Sequence, residues 1–143
     1  MRFSTFALIA LVAASGCKKD EEPEPEVASV VLTVGTATVT ISSTGAVTGG
    51  PITVTRPNQA SISASFRKAD GTQDPVAHGS QFELQVTSAN TGLLTFTRTG
   101  AFAGTLTGVT GPAAGSTTIA VSLFHTVEMH ADFGPFNVTV NVQ

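Results

Sequence analysis

Residues 117–142 read TTIAVSLFHTVEMHADFGPFNVTVNV. Ile119, Val121 and Leu123 alternate with smaller or polar neighbours, and so do Phe136, Val138, Val140 and Val142. In an extended chain successive side chains point to opposite faces, so each run predicts a strand with one apolar face. A single strand from Thr117 to Phe133 would exceed the usual length of roughly 3 to 10 residues. A turn is therefore expected within residues 125–135, helped by Gly134-Pro135.

The same period of two recurs upstream. Val30, Leu32 and Val34 share a face, as do Ala37, Val39 and Ile41; Ile62, Ala64 and Phe66; Phe82, Leu84 and Val86; and Leu94 and Phe96. Turn-forming stretches separate these runs: STGAVTGGP, ADGTQDP, SANTG, RTGAFAG and TGPAAGS. No stretch has convincing helical spacing. Seven or more short strands predict an all-β sandwich or small barrel. Leu84, Val86, Phe96, Ile119 and Val121 are the expected core. With no Trp or Tyr in the chain, Phe82, Phe96, Phe102 and Phe124 are expected to supply bulk. STGAVTGG (Ser43–Gly50) and RTGAFAGT (Arg98–Thr105) predict two similar hairpins within one domain.

ASISASFRKADGTQDPV and LQVTSANTGLLTFTRTGAFAGTLTGVTGPAAGSTTIAVSL together resemble the group 2 type of bacterial Ig-like modules. The likeness runs from Ala60 to Leu123, with Asp70-Gly71 at a turn, Thr87 to Asn90 closing a strand, Gly100 and Gly104 at a hairpin, and Gly115 before the next strand. The resemblance implies an Ig-like antiparallel β-sandwich of about 7 to 9 short strands over residues 27–143. Leu84 and Val86 occupy the strand in which such modules often carry a core Trp.

The N-terminus has a different character. Met1-Arg2 precede the apolar stretch Phe6–Ala14, too short for a membrane span of roughly 20 residues but suited to a secretory signal peptide. Ala14-Ser15-Gly16-Cys17 resembles the lipobox of bacterial lipoproteins, with Ala14 standing where Leu is commoner. The resemblance implies cleavage after residue 16 and a covalent lipid on Cys17, the chain's one cysteine. Two or three acyl chains would make a lasting anchor, each buried CH₂ being worth about 0.8 kcal/mol. The alternative is a conventional signal peptide with Cys17 an ordinary small residue. KKDEEPEPE, residues 18–26, is dense in charge and proline, which predicts an extended stalk. The nine residues reach about 30 Å at roughly 3.3 Å each. Lys18 after the cysteine resembles lipoproteins sent to the outer membrane, and Lys followed by acidic residues resembles a surface-export signal. The plainer reading is a spacer with no sorting role.

The chain carries 7 basic and 10 acidic residues, but much of that charge lies in the stalk. The body keeps Arg56, Arg67, Lys68 and Arg98 against Asp70, Asp74, Glu83, Glu128 and Asp132. A body so near neutrality has no basic patch, which argues against nucleic acid. No G-x-S-x-G elbow, P-loop or G-x-G-x-x-G is present, so no enzyme is expected.

Residues 124–136, FHTVEMHADFGPF, hold two of the three histidines. If extended, they place Glu128, His130 and Asp132 on one face, with Val127, Met129, Ala131 and Phe133 on the other. His125 then joins the buried row of Ile119, Val121 and Leu123. A bend would bring His125 and His130 together with Glu128 or Met129. Imidazole with carboxylate suits Zn²⁺ or Cu²⁺, and a thioether would favour Cu⁺. His125, Glu128, His130 and Asp132 are the candidate metal ligands. The competing reading is a solvated strand face with His125 hydrogen-bonded at the core edge. His78 falls in a predicted turn and is expected to be exposed.

The expected protein is thus a lipid-anchored, non-enzymatic envelope lipoprotein whose domain meets an envelope protein or a glycan. The alternative is a Zn- or Cu-binding lipoprotein using loop 125–132.

Overall fold

The structure, a computed structural model, describes residues 23–111 and 114–143. Cys17, the lipobox, the signal-like segment and the first part of the stalk lie outside the described residues.

The described chain forms ten strands. They are β1 (Ser29–Val34), β2 (Ala37–Ser42), β3 (Val47–Gly49), β4 (Ile52–Val54), β5 (Gln59–Arg67), β6 (Phe82–Ser88), β7 (Leu94–Gly100), β8 (Ala103–Gly108), β9 (Gly115–His125) and β10 (His130–Val142). Val, Ile, Thr and Phe dominate them, residues whose branched or aromatic side chains pack well on a pleated surface.

Six strands form one sheet in the order β3-β2-β1-β5-β8-β7, and four form the other in the order β4-β10-β9-β6. Without β2, β3 and β4, what remains is β1-β5-β8-β7 against β6-β9-β10. Read along the chain, that is the A-B-E-D and C-F-G arrangement of a constant-type immunoglobulin sandwich. The additions sit at the margins. The β2–β3 hairpin widens the first sheet beyond β1, and β4 adds to β10 in parallel through Val140↔Ile52 and Val142↔Val54. The three-residue strands β3 and β4 raise the number above the expected seven to nine. They were inconspicuous because neither is long enough to display alternation.

Both predicted hairpins form, β2–β3 and β7–β8, at opposite edges of the six-stranded sheet. The tip of the second folds over toward the other sheet. There Leu84 donates its backbone N–H to the Ala101 carbonyl, and Arg98 pairs with Glu83.

The core lies between the sheets and contains the expected alternating rows: Val30, Leu32 and Val34; Ile62 and Phe66; Phe82, Leu84 and Val86; Ile119, Val121 and Leu123; and Val138, Val140 and Val142. Two aromatic expectations change. Phe96 packs against the core only in part, because its ring lies over Gly104 on the neighbouring strand, where a Cβ would stand 2.2 Å from the ring. Phe124 is half-buried and points outward, its cross-strand partners being Glu83 and Ala131. Phe133 is buried, with its ring 6.0 Å from that of Phe66.

His78 is also corrected. Rather than exposed, it is half-buried, its ring centroid 4.7 Å from that of Phe102 and its Nδ1 2.8 Å from the Asp74 carbonyl. The loop that carries it is organised by Asp74, which is fully buried. The Asp74 carboxylate accepts the backbone N–H groups of Val76 at 2.9 Å and Glu26 at 2.6 Å. The end of the stalk is thereby fastened to the β5–β6 connection.

Candidate metal centre

β9 and β10 are joined by the four-residue turn Thr126–Met129. His125 ends one strand and His130 begins the other, and they are direct cross-strand partners. Facing residues in an antiparallel ladder carry their side chains on the same side, roughly 4.5 to 5.5 Å apart at Cβ. The two imidazoles accordingly meet edge to face with centroids 5.7 Å apart.

Three features hold the turn. Thr126 donates both its N–H and its hydroxyl to the Gln81 carbonyl, at 2.8 and 2.9 Å. Met129 donates its N–H to the His125 carbonyl at 2.8 Å. Met129 also takes a left-handed conformation with φ of 60°, which reverses the chain. Its side chain and that of Val127 stand out into solvent, and neither shares the flat strand face that an extended reading gives them.

Asp132 arrives by a different route. Along β10, Ala131 pairs with Phe124 and Phe133 with Leu123, so two residues advance on one strand for one on the other. Asp132 is the extra residue of a β-bulge, a device that re-aims a side chain out of strict alternation. A second irregularity follows at Gly134-Pro135, between the pairs Phe133↔Leu123 and Phe136↔Val121. Gly134 has φ of +84°, and a Cβ there would stand 2.4 Å from the Val121 carbonyl oxygen. Only glycine allows the backbones to approach so closely.

The four predicted residues therefore converge. His130 Nε2 lies 2.5 Å from Asp132 Oδ1, and His130 Nδ1 lies 3.5 Å from Glu128 Oε2. His125 Nδ1 lies 3.5 Å from Glu128 Oε2 and 3.8 Å from Asp132 Oδ2. One donor atom from each of His125, His130 and Asp132 falls within 4.8 Å of the others. His125 is only 6% exposed and lies against Phe82, ring centroids 4.5 Å apart and planes 29° apart. Its Nε2 is buried without a hydrogen-bonding partner. His125, which a straight strand would set opposite the other three, meets them because the chain turns at 126–129, inside the expected 125–135, and bulges at 132.

Asp74 is the residue whose part sequence reasoning missed. Asp-Pro shortly after the Asp70-Gly71 turn is a common loop signal, and the long-range bond to Glu26 is what distinguishes it.

No protein-family model, curated protein or solved structure matches this chain. The arrangement of donors has to be read from its own chemistry.

Proposed function

We propose that this chain is a lipid-anchored, non-enzymatic envelope protein that presents an Ig-like sandwich to a protein or glycan partner at the outer membrane. The observation that carries the reading is the sequence ASGCKKDEEPEPE at residues 14–26, in which a lipobox-like cleavage site and acylation point run directly into a charged stalk. The Glu26–Asp74 bond supports it, since the stalk ends at a fixed point on the domain. Glu26 lies nine steps along the chain from Cys17, so the domain would hang within about 30 Å of the bilayer at roughly 3.3 Å per residue.

Strands whose backbone groups lack a neighbour, here β7 and β3 at the margins of the larger sheet, are where such sandwiches take a partner by strand addition. The near-neutral body favours contacts of mixed polarity over charge-driven capture of nucleic acid.

Metabolic labelling with a palmitate analogue tests the anchor. The full chain is expected to label and to sediment with membranes, and Cys17→Ala to do neither. An unlabelled wild type, or equal labelling of Cys17→Ala, overturns the anchor. Protease treatment of intact cells then separates a surface domain, which is degraded, from a periplasmic one, which is protected.

A further inference from the structure

The geometry points to a divalent transition-metal site at the β9–β10 hairpin, with His125, His130 and Asp132 as ligands and Glu128 as a positioning residue. The inference is independent of lipidation.

A buried imidazole ordinarily satisfies both nitrogens. The nitrogen of His125 that faces the cluster is Nδ1, and the carboxylate oxygens of Glu128 and Asp132 stand 3.5 and 3.8 Å from it, too long for strong hydrogen bonds. If the proton sits on Nε2, the Nδ1 lone pair faces two negative carboxylates, an arrangement that calls for a cation between them. A dication bound by Nδ1 of His125, Nε2 of His130 and the Asp132 carboxylate supplies it.

Charge and donor type also suit a dication. Two neutral imidazoles and the carboxylates of Asp132 and Glu128 together carry two negative charges, which one divalent ion neutralises. Nitrogen and oxygen donors of this kind suit Zn²⁺ or Cu²⁺. Met129, exposed at 71%, extends into solvent at the turn, so the site does not have the sulfur character that favours Cu⁺.

Two donors on one tetrahedral zinc stand about 3.4 Å apart, given metal–ligand bonds of roughly 2.0 to 2.2 Å. The donors here lie within 4.8 Å. Closing that gap takes a rotation of His130, whose side chain is half-exposed and already meets Asp132 through Nε2. The backbone frame is already set by the Thr126–Gln81 bonds, the direct His125↔His130 pairing and the bulge at Asp132. Glu128, 3.5 Å from His130 Nδ1, sits where a carboxylate orients a ligating imidazole from its far side.

Calorimetry on the detergent-solubilised full chain with Zn²⁺ and with Cu²⁺ tests the proposal, paired with His130→Ala/Asp132→Ala. Both residues of that variant lie outside the core, and its metal-free unfolding temperature is measured to show that the fold is kept. One ion per chain is expected, with affinity at least 100-fold weaker in the variant. Glu128→Ala is expected to weaken binding by about 10- to 100-fold. In NMR spectra the ring signals of His125 and His130 should move on adding Zn²⁺ while those of His78 stay. A wild type that takes up no ion, a folded variant that binds as tightly, or a shift of His78 in place of the hairpin pair overturns the site.

Discussion

Asp74 and Glu26 are 48 residues apart in sequence, yet the Asp74 carboxylate accepts the Glu26 backbone N–H at 2.6 Å. The same carboxylate holds Val76 at 2.9 Å. One fully buried acidic group thus closes the β5–β6 loop and fixes the place where the chain enters β1. Buried carboxylates are tolerated when backbone donors surround them, and these bonds replace the lost hydration.

Asp74→Ala leaves buried N–H donors without an acceptor and is expected to cost about 2 to 4 kcal/mol. Asp74→Asn can keep the bond to Val76 but presents an amide group to one of the two donors, so it should fall between wild type and Ala. Urea unfolding of the three proteins gives the ranking. An Ala variant as stable as wild type would sink this account of the loop.

Ile119 and Phe96 separate a true core position from a partial one. Ile119 is fully buried, and its replacement by Ala is expected to cost about 2 to 5 kcal/mol. Phe96 is only partly buried over Gly104, so Phe96→Ala should cost less, about 1 to 2 kcal/mol, in proportion to the apolar area it removes from water. Equal losses at the two positions would contradict the packing described.

Gly134 and Gly71 share a left-handed backbone but not a neighbourhood. A Cβ at Gly134 meets the Val121 carbonyl at 2.4 Å, whereas nothing lies within 4 Å of one at Gly71. Gly71→Ala should therefore cost only the conformational strain, about 1 to 2 kcal/mol. Gly134→Ala adds a backbone clash and should cost about 3 kcal/mol or more. Thermal unfolding of the pair checks the difference, and a Gly134 variant no worse than the Gly71 one would exclude the close approach.

Asp70 sits at the exposed turn before β6, and the Thr72 hydroxyl, followed by the Thr72 backbone N–H, holds its carboxyl below the usual carboxylate value. A depressed folded value means that the ionised form is favoured by folding. Its small contribution is present above the ordinary carboxylate pKa and is lost as pH falls through the lowered one. Removing the hydroxyl with Thr72→Val should move the Asp70 midpoint upward in an NMR titration. An unchanged midpoint would show that the side-chain bond is not the principal cause.

The apolar rows were legible because alternation in a half-buried strand is a local property. Ile119, Val121 and Leu123 announce their face without reference to any other strand, and so do Leu84 and Val86. The excess length of residues 117–133 likewise announces a turn. The candidate site was legible only as a set of residue types. Straight alternation sets His125 against His130, and the pair meets because the chain reverses between them. Asp132 joins them through a bulge that shows only in the register of β10 against β9. The error at His78 has the same origin, since Phe66 and Phe102 come to it from distant segments.

By itself, then, the sequence determined the strand class, the inward faces and the gathering of imidazole and carboxylate within residues 125–132, all of which depend on side-chain chemistry and a period of two. The tertiary structure alone decided the pairing of individual strands, including the parallel addition of β4, the fastening of Glu26 to Asp74 and the bulge that carries Asp132 to His130. These depend on cross-strand register and on close approaches between segments far apart in the chain, and no local pattern encodes such distances.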